Sequence, residues 1–335
     1  MRIGLLALNA ISTRTRLLAR ALNAKLYLLK SKPPYLDLAS KIANIVNESI
    51  DTLIVQLPTG PLLLASILSK NLVKNVDVKV VADAHTGFLT TRFNLKFQKH
   101  FVLNYPFKLL LSYTDLILIH NETNYKLLPR RLYSKTLVLY DPFYVIESFF
   151  SKEKCGDLKL RGFLKKEEYA VYPASWHPDE PIEFLVEAWT SSGIPIPLVI
   201  TGRPRQQILR KIGERLQTRK VVLSGYIENY GKYLCLLSRA LFVVSATTSN
   251  FDMQCSAYEA LALGKPIAAS NRLAIRSVLR DAPVYFNYDK ESLHKAVSSL
   301  LKNYDYVLDR TIMLAKSLEE KIERQIETLL DALKG

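Results

Sequence analysis

Short runs of apolar residues alternate with amphipathic segments of helical length along the whole chain. In the first half these runs are continuous stretches of Val, Ile and Leu, which is typical of strands buried on both faces of a parallel sheet. They predict strands at Ile3–Leu8, Ala24–Leu29, Thr52–Leu57, Val78–Ala82, Leu116–Ile119 and Thr136–Leu139. Thr13–Leu22 and Tyr35–Asn47 have the periodicity of helices.

The same pattern restarts after the charged stretch Ser151–Lys166. The second half predicts strands at Tyr169–Tyr172, Leu198–Thr201, Val221–Leu223, Leu241–Val244, Pro266–Ala269 and Val284–Phe286. Its helices are expected at Pro181–Thr190, Arg205–Gln217, Tyr230–Ser238, Gln254–Leu263 and Glu291–Leu301. A long charged segment that begins near Tyr304 predicts a final helix.

Two successive series of strands and helices predict an α/β protein with two doubly wound, Rossmann-like domains that face each other across a cleft. We expect an N-terminal domain at 1–150, a linker at 151–168, a C-terminal domain at 169–303 and a helical tail at 304–335. The length of 335 residues suits two such domains. Ligands of such sheets bind at the carboxyl ends of the strands.

The net charge of +15 and the pI near 9.5 favour anionic partners, although a Lys/Arg-rich surface without a special partner fits equally well. No nucleic-acid-binding module is recognisable, so nucleic acid is not an expected partner. No apolar stretch approaches the ~20 residues of a spanning helix, and the first ten residues predict a strand rather than a signal peptide. These patterns are typical of a cytoplasmic protein.

The three cysteines, Cys155, Cys235 and Cys255, have neither the spacing of a disulfide framework nor that of a zinc site. This cysteine pattern is typical of a protein in a reducing compartment, and the sequence predicts no metal site.

Asp83, Ala84 and His85 follow the strand predicted at Val78–Ala82. An acid and an imidazole two residues apart at the carboxyl end of a strand suit acid/base chemistry or contact with a sugar hydroxyl. A structural histidine is an equally good interpretation. Asp83 and His85 are our candidate catalytic residues.

Two turns of the second half also follow predicted strands. Gly202 and Arg203 come after Leu198–Thr201, where backbone amides and a guanidinium suit a phosphate. Gly225 and Tyr226 come after Val221–Leu223, where an aromatic ring suits a flat base. Ordinary strand-to-helix turns have the same composition, and the chain contains neither GxGxxG nor GxxxxGK[ST].

The stretch from Thr247 to Ser270 combines a polar segment, a helix that carries Glu259, and Gly264-Lys265-Pro266 before an apolar run. It resembles the nucleotide-sugar-binding segment of the retaining, group 1 (family 4-like) glycosyltransferases with the GT-B fold. Members carry two glutamates eight positions apart, and the second is followed by Ala and Gly-x-Pro, as Glu259 is here. In the family this glutamate receives the ribose hydroxyls of the donor. A carboxylate can accept from both hydroxyls of a vicinal diol.

The resemblance implies a hexosyltransferase-like enzyme without a cofactor or a metal, which uses a nucleotide sugar as its donor substrate. The implied acceptor is a growing glycan or a lipid-linked sugar. The donor-binding residues that we expect are Ser175, Gly202, Arg203, Tyr226, Ile227, Thr248, Asp252, Ser256 and Glu259.

Three departures from the family pattern bear on the donor. Phe251 stands where the first glutamate is expected, beside Asp252. His177 and Glu183 replace the basic pair that usually holds the diphosphate, so that Arg203, Arg205 or Lys265 would have to neutralise it. The first loop, Asn9–Arg14, lacks glycines.

These departures leave open a catalytically inactive nucleotide-sugar-binding protein, and a sugar-nucleotide epimerase of the same fold is a further alternative.

The segment Phe93–Tyr113 suggests a further partner. It interleaves aromatic residues with lysines, which suits peripheral association with an anionic membrane, at the inner face of the cell membrane, as well as an amphipathic helix packed on the sheet. Its residues are Phe93, Lys96, Phe97, Lys99, Phe101, Tyr105, Phe107 and Lys108.

Overall fold

The computed structural model describes residues 1–33, 35–72, 78–90, 106–150, 155, 168–218 and 220–334. The chain divides into two compact units, which are residues 1–142 with 320–335, and residues 143–319.

The N-terminal unit is built on a sheet of six parallel strands in the order β2-β1-β3-β4-β5-β6. The strands are β1 (Ile3–Leu8), β2 (Lys25–Leu29), β3 (Thr52–Gln56), β4 (Lys79–Asp83), β5 (Leu116–Ile119) and β6 (Thr136–Val138). The α-helices are α1 (Thr13–Ala21), α2 (Leu38–Val46), α3 (Gly60–Leu72) and the single turn α4 (Thr86–Leu89). Three 3₁₀ helices lie at Pro106–Tyr113, Glu122–Leu127 and Arg130–Lys135.

The second unit has its own sheet of six parallel strands, in the order β12-β11-β10-β7-β8-β9. The strands are β7 (Ala170–Tyr172), β8 (Leu198–Thr201), β9 (Val221–Gly225), β10 (Phe242–Ser245), β11 (Ile267–Ser270) and β12 (Val284–Phe286). Its helices are α5 (Ile182–Ser191), α6 (Gln206–Ile212), α7 (Tyr230–Arg239), α8 (Cys255–Ala262), α9 (Leu273–Leu279) and α10 (Lys290–Lys302). The last helix, α11 (Tyr304–Lys334), begins in this unit, and its residues from 320 onward belong to the first unit. Two 3₁₀ helices lie at Phe143–Phe149 and Arg215–Thr218.

The central strands of both sheets are buried on both faces, which explains their continuous apolar runs. Polar residues define several helix starts. Ser12, Asn229 and Asp289 each accept a backbone N–H of the first turn of the helix that follows, at the N-termini of α1, α7 and α10. These caps satisfy amides that the helix itself leaves without an acceptor.

The predicted fold class is confirmed, because each half contains a parallel sheet covered by helices. All twelve predicted strands are present, with ends that differ by at most two residues. The helix predicted at Arg205–Gln217 is instead two elements, since α6 ends before Gly213 and a 3₁₀ helix follows. Helix α9 was not predicted. The domain boundaries stay predictions, and the linker at 151–168 lies outside the described residues except for 155 and 168.

The prediction that the cysteines stay unpaired was wrong. Cys155 and Cys235 form a disulfide, while Cys255 is not part of a disulfide. The two partners are 80 residues apart in sequence, so their spacing gave no signal. Among the described residues, no helix combines the length and hydropathy that crossing a bilayer would need.

Candidate functional site

The polar candidates of the second unit gather at the carboxyl edge of its sheet, where the strand order reverses between β7 and β10. The segments after these two strands contact each other directly. The amide of Thr248 donates to the carbonyl of Asp179 over 2.7 Å, and the Thr247 hydroxyl donates to the Asp179 carboxylate over 2.7 Å. The structure therefore places predicted residue Thr248 at the point where ligands of such sheets bind.

The segment after β7 is organised around a carboxylate of its own. Glu180 accepts hydrogen bonds from the amide of Ser175 (3.0 Å), the hydroxyl of Ser175 (2.8 Å) and the amide of His177 (3.1 Å). Burial raises the pKa of Glu180 despite these hydrogen bonds. Both the amide and the hydroxyl of predicted residue Ser175 therefore bind Glu180, and this segment contains two adjacent carboxylates, those of Asp179 and Glu180.

Trp176 and Gly202 pack together behind this segment. Trp176 is buried, has a φ of 61°, and donates from its indole nitrogen to the carbonyl of Thr201 over 2.7 Å. Gly202 has a φ of 90°, and a Cβ there would lie 2.1 Å from the carbonyl oxygen of Ala174 and 2.8 Å from the Trp176 ring. Only glycine fits this position, so Gly202 serves the backbone rather than offering a side chain to a ligand.

Four predicted residues lie in the two turns that follow β8 and β9, and these turns contact each other. The amide of Gly202 donates to the carbonyl of Gly225 over 3.0 Å, which joins the two turns. The Arg203 guanidinium lies 4.7 Å from the centre of the Tyr226 ring, as a cation–π pair, and Ile227 follows. Both Arg203 and Tyr226 are exposed, which leaves a positive charge and an aromatic face at the edge of the sheet.

Glu259 lies in α8 and its side chain faces α7. Only 3% of the residue is exposed. The hydroxyl of Tyr230 donates to Oε1 over 3.0 Å, and the hydroxyl of Tyr233 donates to Oε2 over 2.5 Å. The carboxylate that the sequence singled out is therefore buried and bound by two tyrosines.

The remaining donor candidates lie between the end of β10 and the first turn of α8. Phe251 and Asp252 are half-buried in this segment, and the amide of Phe251 donates to the hydroxyl of Ser249 over 3.2 Å. Ser256 lies in the first turn of α8, and its buried hydroxyl has no hydrogen-bond partner among the residues that the structure describes. All three are therefore near the carboxyl end of β10.

Lys265 does not join this group, and Arg272 does. Lys265 precedes β11 and so lies at the amino end of the strands, the opposite edge from the candidate site. Arg272 follows β11 at the carboxyl end, donates from Nε to the carbonyl of Thr247 over 3.3 Å, and stacks 4.6 Å from the centre of the Tyr288 ring. Sequence reasoning missed Arg272, although its position directly after a strand could have identified it.

In the N-terminal unit, Asp83 ends β4 and is buried in an ion cluster. Arg14 of α1, which is 1% exposed, donates to Asp83 over 2.9 to 3.1 Å and to Asp141 over 2.6 Å. Burial alone would raise the pKa of Asp83, but Arg14 and His120 hold it far below its usual value. The Asp83 carboxylate therefore acts inside the protein rather than as a group exposed to substrate.

His85 lies two residues further, at the start of α4, with its ring 4.2 Å from that of His120 in an edge-to-face arrangement. Burial, together with His120, lowers the pKa of His85 to about 3. The imidazole is therefore neutral near pH 7, and its Nε2 has no hydrogen-bond partner among the described residues. A neutral imidazole with such a low pKa suits a hydrogen bond to a ligand better than proton transfer.

Asp83, His85 and His120 also have the composition of a cation site, since one ligand atom of each lies within 4.8 Å of the others. The guanidinium of Arg14, however, contacts both oxygens of Asp83. A metal ion bound by that carboxylate would lie close to this fixed positive charge, which opposes its binding.

The aromatic segment considered for membrane contact is described only in part. Phe93, Lys96, Phe97, Lys99, Phe101 and Tyr105 lie outside the described residues. Phe107 packs against the core of the N-terminal unit, and Lys108 donates to the carbonyl of Leu89 over 2.6 Å. Leu109 and Tyr113, in the same 3₁₀ helix, are 66% and 70% exposed.

Replacing Gly202 with alanine is expected to destabilise the protein by more than about 3 kcal/mol, because a positive φ and a clash with backbone combine there. Gly193→Ala is the matched control, since Gly193 also has a positive φ (73°) but a Cβ would meet no atom within 4 Å. Its expected cost is about 1 kcal/mol. Urea unfolding of both variants gives the comparison, and equal losses would contradict the described packing of Trp176 on Gly202.

His85 predicts an acid-dependent loss of stability. Because its pKa is lowered from 6.5 to about 3, its contribution to stability is fully present above pH 6.5 and is lost as the pH falls towards 3. Between pH 6.5 and pH 3, each unit by which the pH falls lowers the contribution of His85 to the free energy of unfolding by about 1.4 kcal/mol. His85→Asn should remove this slope, whereas His294→Asn on α10 should retain it. Denaturant unfolding at pH 7, 6, 5 and 4 measures both, and an unchanged slope in His85→Asn contradicts the assignment.

Residues 159–322 match the family model described as Glycosyl transferases group 1. No curated protein sequence matches the chain.

Solved structures share the fold at low identity. Anabaena HepE in complex with UDP and glucose has a TM-score of 0.74 at 11% identity, with 100% of each chain covered. Sucrose-phosphate synthase from Thermosynechococcus elongatus has a TM-score of 0.69 at 12% identity, with 99% of each chain covered. UDP-GlcNAc 2-epimerase from Neisseria meningitidis, bound to UDP-GlcNAc, has a TM-score of 0.63 at 13% identity, with 99% of this chain and 100% of that chain covered.

The two Rossmann-like sheets are therefore those of the GT-B fold. Residues 159–322, about half of the chain, are a domain of the group 1 glycosyltransferase family.

Proposed function

We propose that this protein is a glycosyltransferase that moves a sugar from a nucleotide sugar to an acceptor hydroxyl with retention at the anomeric carbon. The observation that carries the proposal is the position of Glu259, a buried carboxylate on α8, within the matched family domain. HepE, which shares the fold, binds UDP and glucose, which supports a nucleotide-sugar donor here.

The second unit binds the donor in this proposal. Glu259 receives the ribose hydroxyls, while Tyr226 and Ile227 flank the base. Thr248, Asp252 and Ser256 lie near the carboxyl end of β10 and contact the diphosphate or the sugar. Gly202 keeps the turn after β8 close to this edge, and Ser175 acts through its hydrogen bonds to Glu180.

Positive charge for the diphosphate comes from arginines that flank the segment after β7. Arg203 and Arg205 follow β8 on one side, and Arg272 follows β11 on the other. These arginines would substitute for the basic pair of the family, which the sequence lacks, in a region that also contains the carboxylates of Asp179 and Glu180. Hydrogen-bonding guanidinium groups suit phosphate oxygens in geometry as well as charge.

In the reaction, the bond between the anomeric carbon and the diphosphate oxygen breaks while the acceptor oxygen bonds to the same carbon. The acceptor proton passes to the departing diphosphate, so charge and atoms balance without a further reactant. His85 donates or accepts a hydrogen bond at a sugar hydroxyl as a neutral imidazole. Asp83 positions this region through Arg14 and His120 rather than touching the sugar. No step of this reaction requires a metal.

An epimerase is the second candidate, because UDP-GlcNAc 2-epimerase from Neisseria meningitidis shares the fold. An epimerase would change the donor sugar in the absence of any acceptor. Nuclear magnetic resonance of the donor, followed with and without acceptor, separates the two activities. The family match favours the transferase.

The proposal also includes a lipid-linked acceptor and peripheral contact of the protein with an anionic membrane. The support is the net charge of +15 and the exposed apolar side chains Leu109 and Tyr113, in a 3₁₀ helix that packs on the core through Phe107. Apolar groups beside lysines suit the interface of a bilayer with acidic lipid.

Vesicle sedimentation tests this surface. The protein should sediment with phosphatidylglycerol vesicles at low salt and less at high salt, because screening weakens attraction to the surface. Leu109→Ser with Tyr113→Ser should lower the bound fraction severalfold. The control is Tyr306→Ser with Met313→Ser, which alters side chains of similar exposure on α11. Equal binding by both double variants, or no binding by the wild type, contradicts the proposal.

A thermal-shift panel of UDP-, GDP- and ADP-sugars tests the donor. One member at 100 times its dissociation constant should stabilise the wild type by about 2.7 kcal/mol. Glu259→Gln should weaken the affinity by about 1.5–3 kcal/mol, since the amide keeps the shape but loses one charged acceptor. Unchanged affinity in a folded Glu259→Gln variant would exclude Glu259 as the ribose ligand.

A further inference from the structure

The two tyrosines on Glu259 differ in where they lie relative to the ligand edge. Helix α7 begins after β9, at the carboxyl edge, and runs away from it. Tyr230 is its first residue, and Tyr233 lies three residues further along, about 4.5 Å deeper at the rise of an α-helix. The outer hydroxyl binds Oε1 and the inner hydroxyl binds Oε2.

The inner contact is the firmer of the two. The Tyr233 hydroxyl lies 2.5 Å from Oε2, whereas that of Tyr230 lies 3.0 Å from Oε1. Burial and the neighbouring Glu259 raise the pKa of Tyr233 well above its usual value, so it stays a hydroxyl donor. Tyr230 sits at a helix start, with its ring stacked on Tyr233 at 5.8 Å and edge-on to Phe149 at 5.9 Å.

The outer contact has the chemistry that a ribose would bring. A sugar hydroxyl and a phenol hydroxyl are both neutral O–H donors, and each approaches the carboxylate as one hydrogen bond. With only 3% of Glu259 exposed, a vicinal diol reaches both oxygens only if the group at the ligand edge moves aside. The hydroxyl on Glu259 nearer that edge is that of Tyr230, and the hydroxyl of Tyr233 comes from deeper along α7.

We propose that Tyr230 is an internal stand-in for a ribose hydroxyl, which the donor displaces, and that Tyr233 is the positioning residue that keeps Glu259 aimed at the ribose. This rests on the proposed function, since it concerns how the same carboxylate receives a nucleotide. The ligand class is a ribonucleotide with both the 2′ and the 3′ hydroxyl. The two tyrosines, which look alike in sequence, act on affinity with opposite signs.

The test uses the full-length protein with UDP, GDP and ADP, titrated by calorimetry, and then the 2′-deoxy form of the nucleotide that binds. Tyr230→Phe should raise affinity by about two- to tenfold, because the competing hydroxyl is gone while the ring stays. Tyr233→Phe should lower affinity by about tenfold and reduce the preference for the ribonucleotide over its deoxy form. A merely structural role for Tyr233 would leave that preference unchanged.

Tyr169→Phe is the matched control. Its buried hydroxyl also donates to α7, at the carbonyl of Leu236 over 2.8 Å, but Tyr169 precedes β7 and so lies at the amino end of the strands. It should keep the affinity and the preference of the wild type, whatever stability it loses. Changes of the same sign in Tyr230→Phe and Tyr233→Phe, or no change in either, overturn the inference while wild-type binding stands. Absence of binding to all three nucleotides by the folded wild type overturns the proposed function, and this inference with it.

Discussion

The parallel pairing of every strand is the constraint on which the rest of this structure depends. Both six-stranded sheets are wholly parallel, so each strand must be followed by a crossover that returns to the opposite edge. All carboxyl ends of a sheet therefore meet at one edge, together with the helix starts that follow them. The polar residues that carry the proposed chemistry come from segments far apart in sequence, and only this topology collects them.

Burial of charge is the second constraint, and the two units meet it in different ways. In the N-terminal unit, Arg14 binds Asp83 and Asp141, so that three side chains that are nearly excluded from water are paired. In the second unit, Glu259 is buried and accepts hydrogen bonds from two neutral tyrosine hydroxyls. Both arrangements give buried carboxylate oxygens hydrogen-bond donors, which offsets part of the cost of removing them from water.

The segment after β7 shows that the electrostatics of the candidate site depend on a carboxylate of the chain itself. Two amides and a hydroxyl converge on Glu180, an arrangement that suits any anion and is filled here by the chain's own carboxylate. In the proposed function, phosphate charge is then met by Arg203 and Arg205 after β8 and by Arg272 after β11. Arg272 donates to the carbonyl of Thr247 and stacks on the ring of Tyr288. Its position is not one that the family motif identifies.

The sequence by itself determined the twelve strands and the two doubly wound halves, because burial on both faces produces apolar runs that are local in sequence. It also indicated the family of the C-terminal segment, through a short motif. It also identified Glu259, whose neighbours Ala260 and Gly264 belong to one short motif. Only the tertiary structure decided what surrounds that carboxylate, since Tyr230 and Tyr233 belong to another helix. It likewise decided the Cys155–Cys235 disulfide, the burial of Asp83 against Arg14, and the exclusion of Lys265 from the ligand edge. These are contacts between segments distant in sequence, and they depend on strand order, which local patterns of hydrophobicity do not specify.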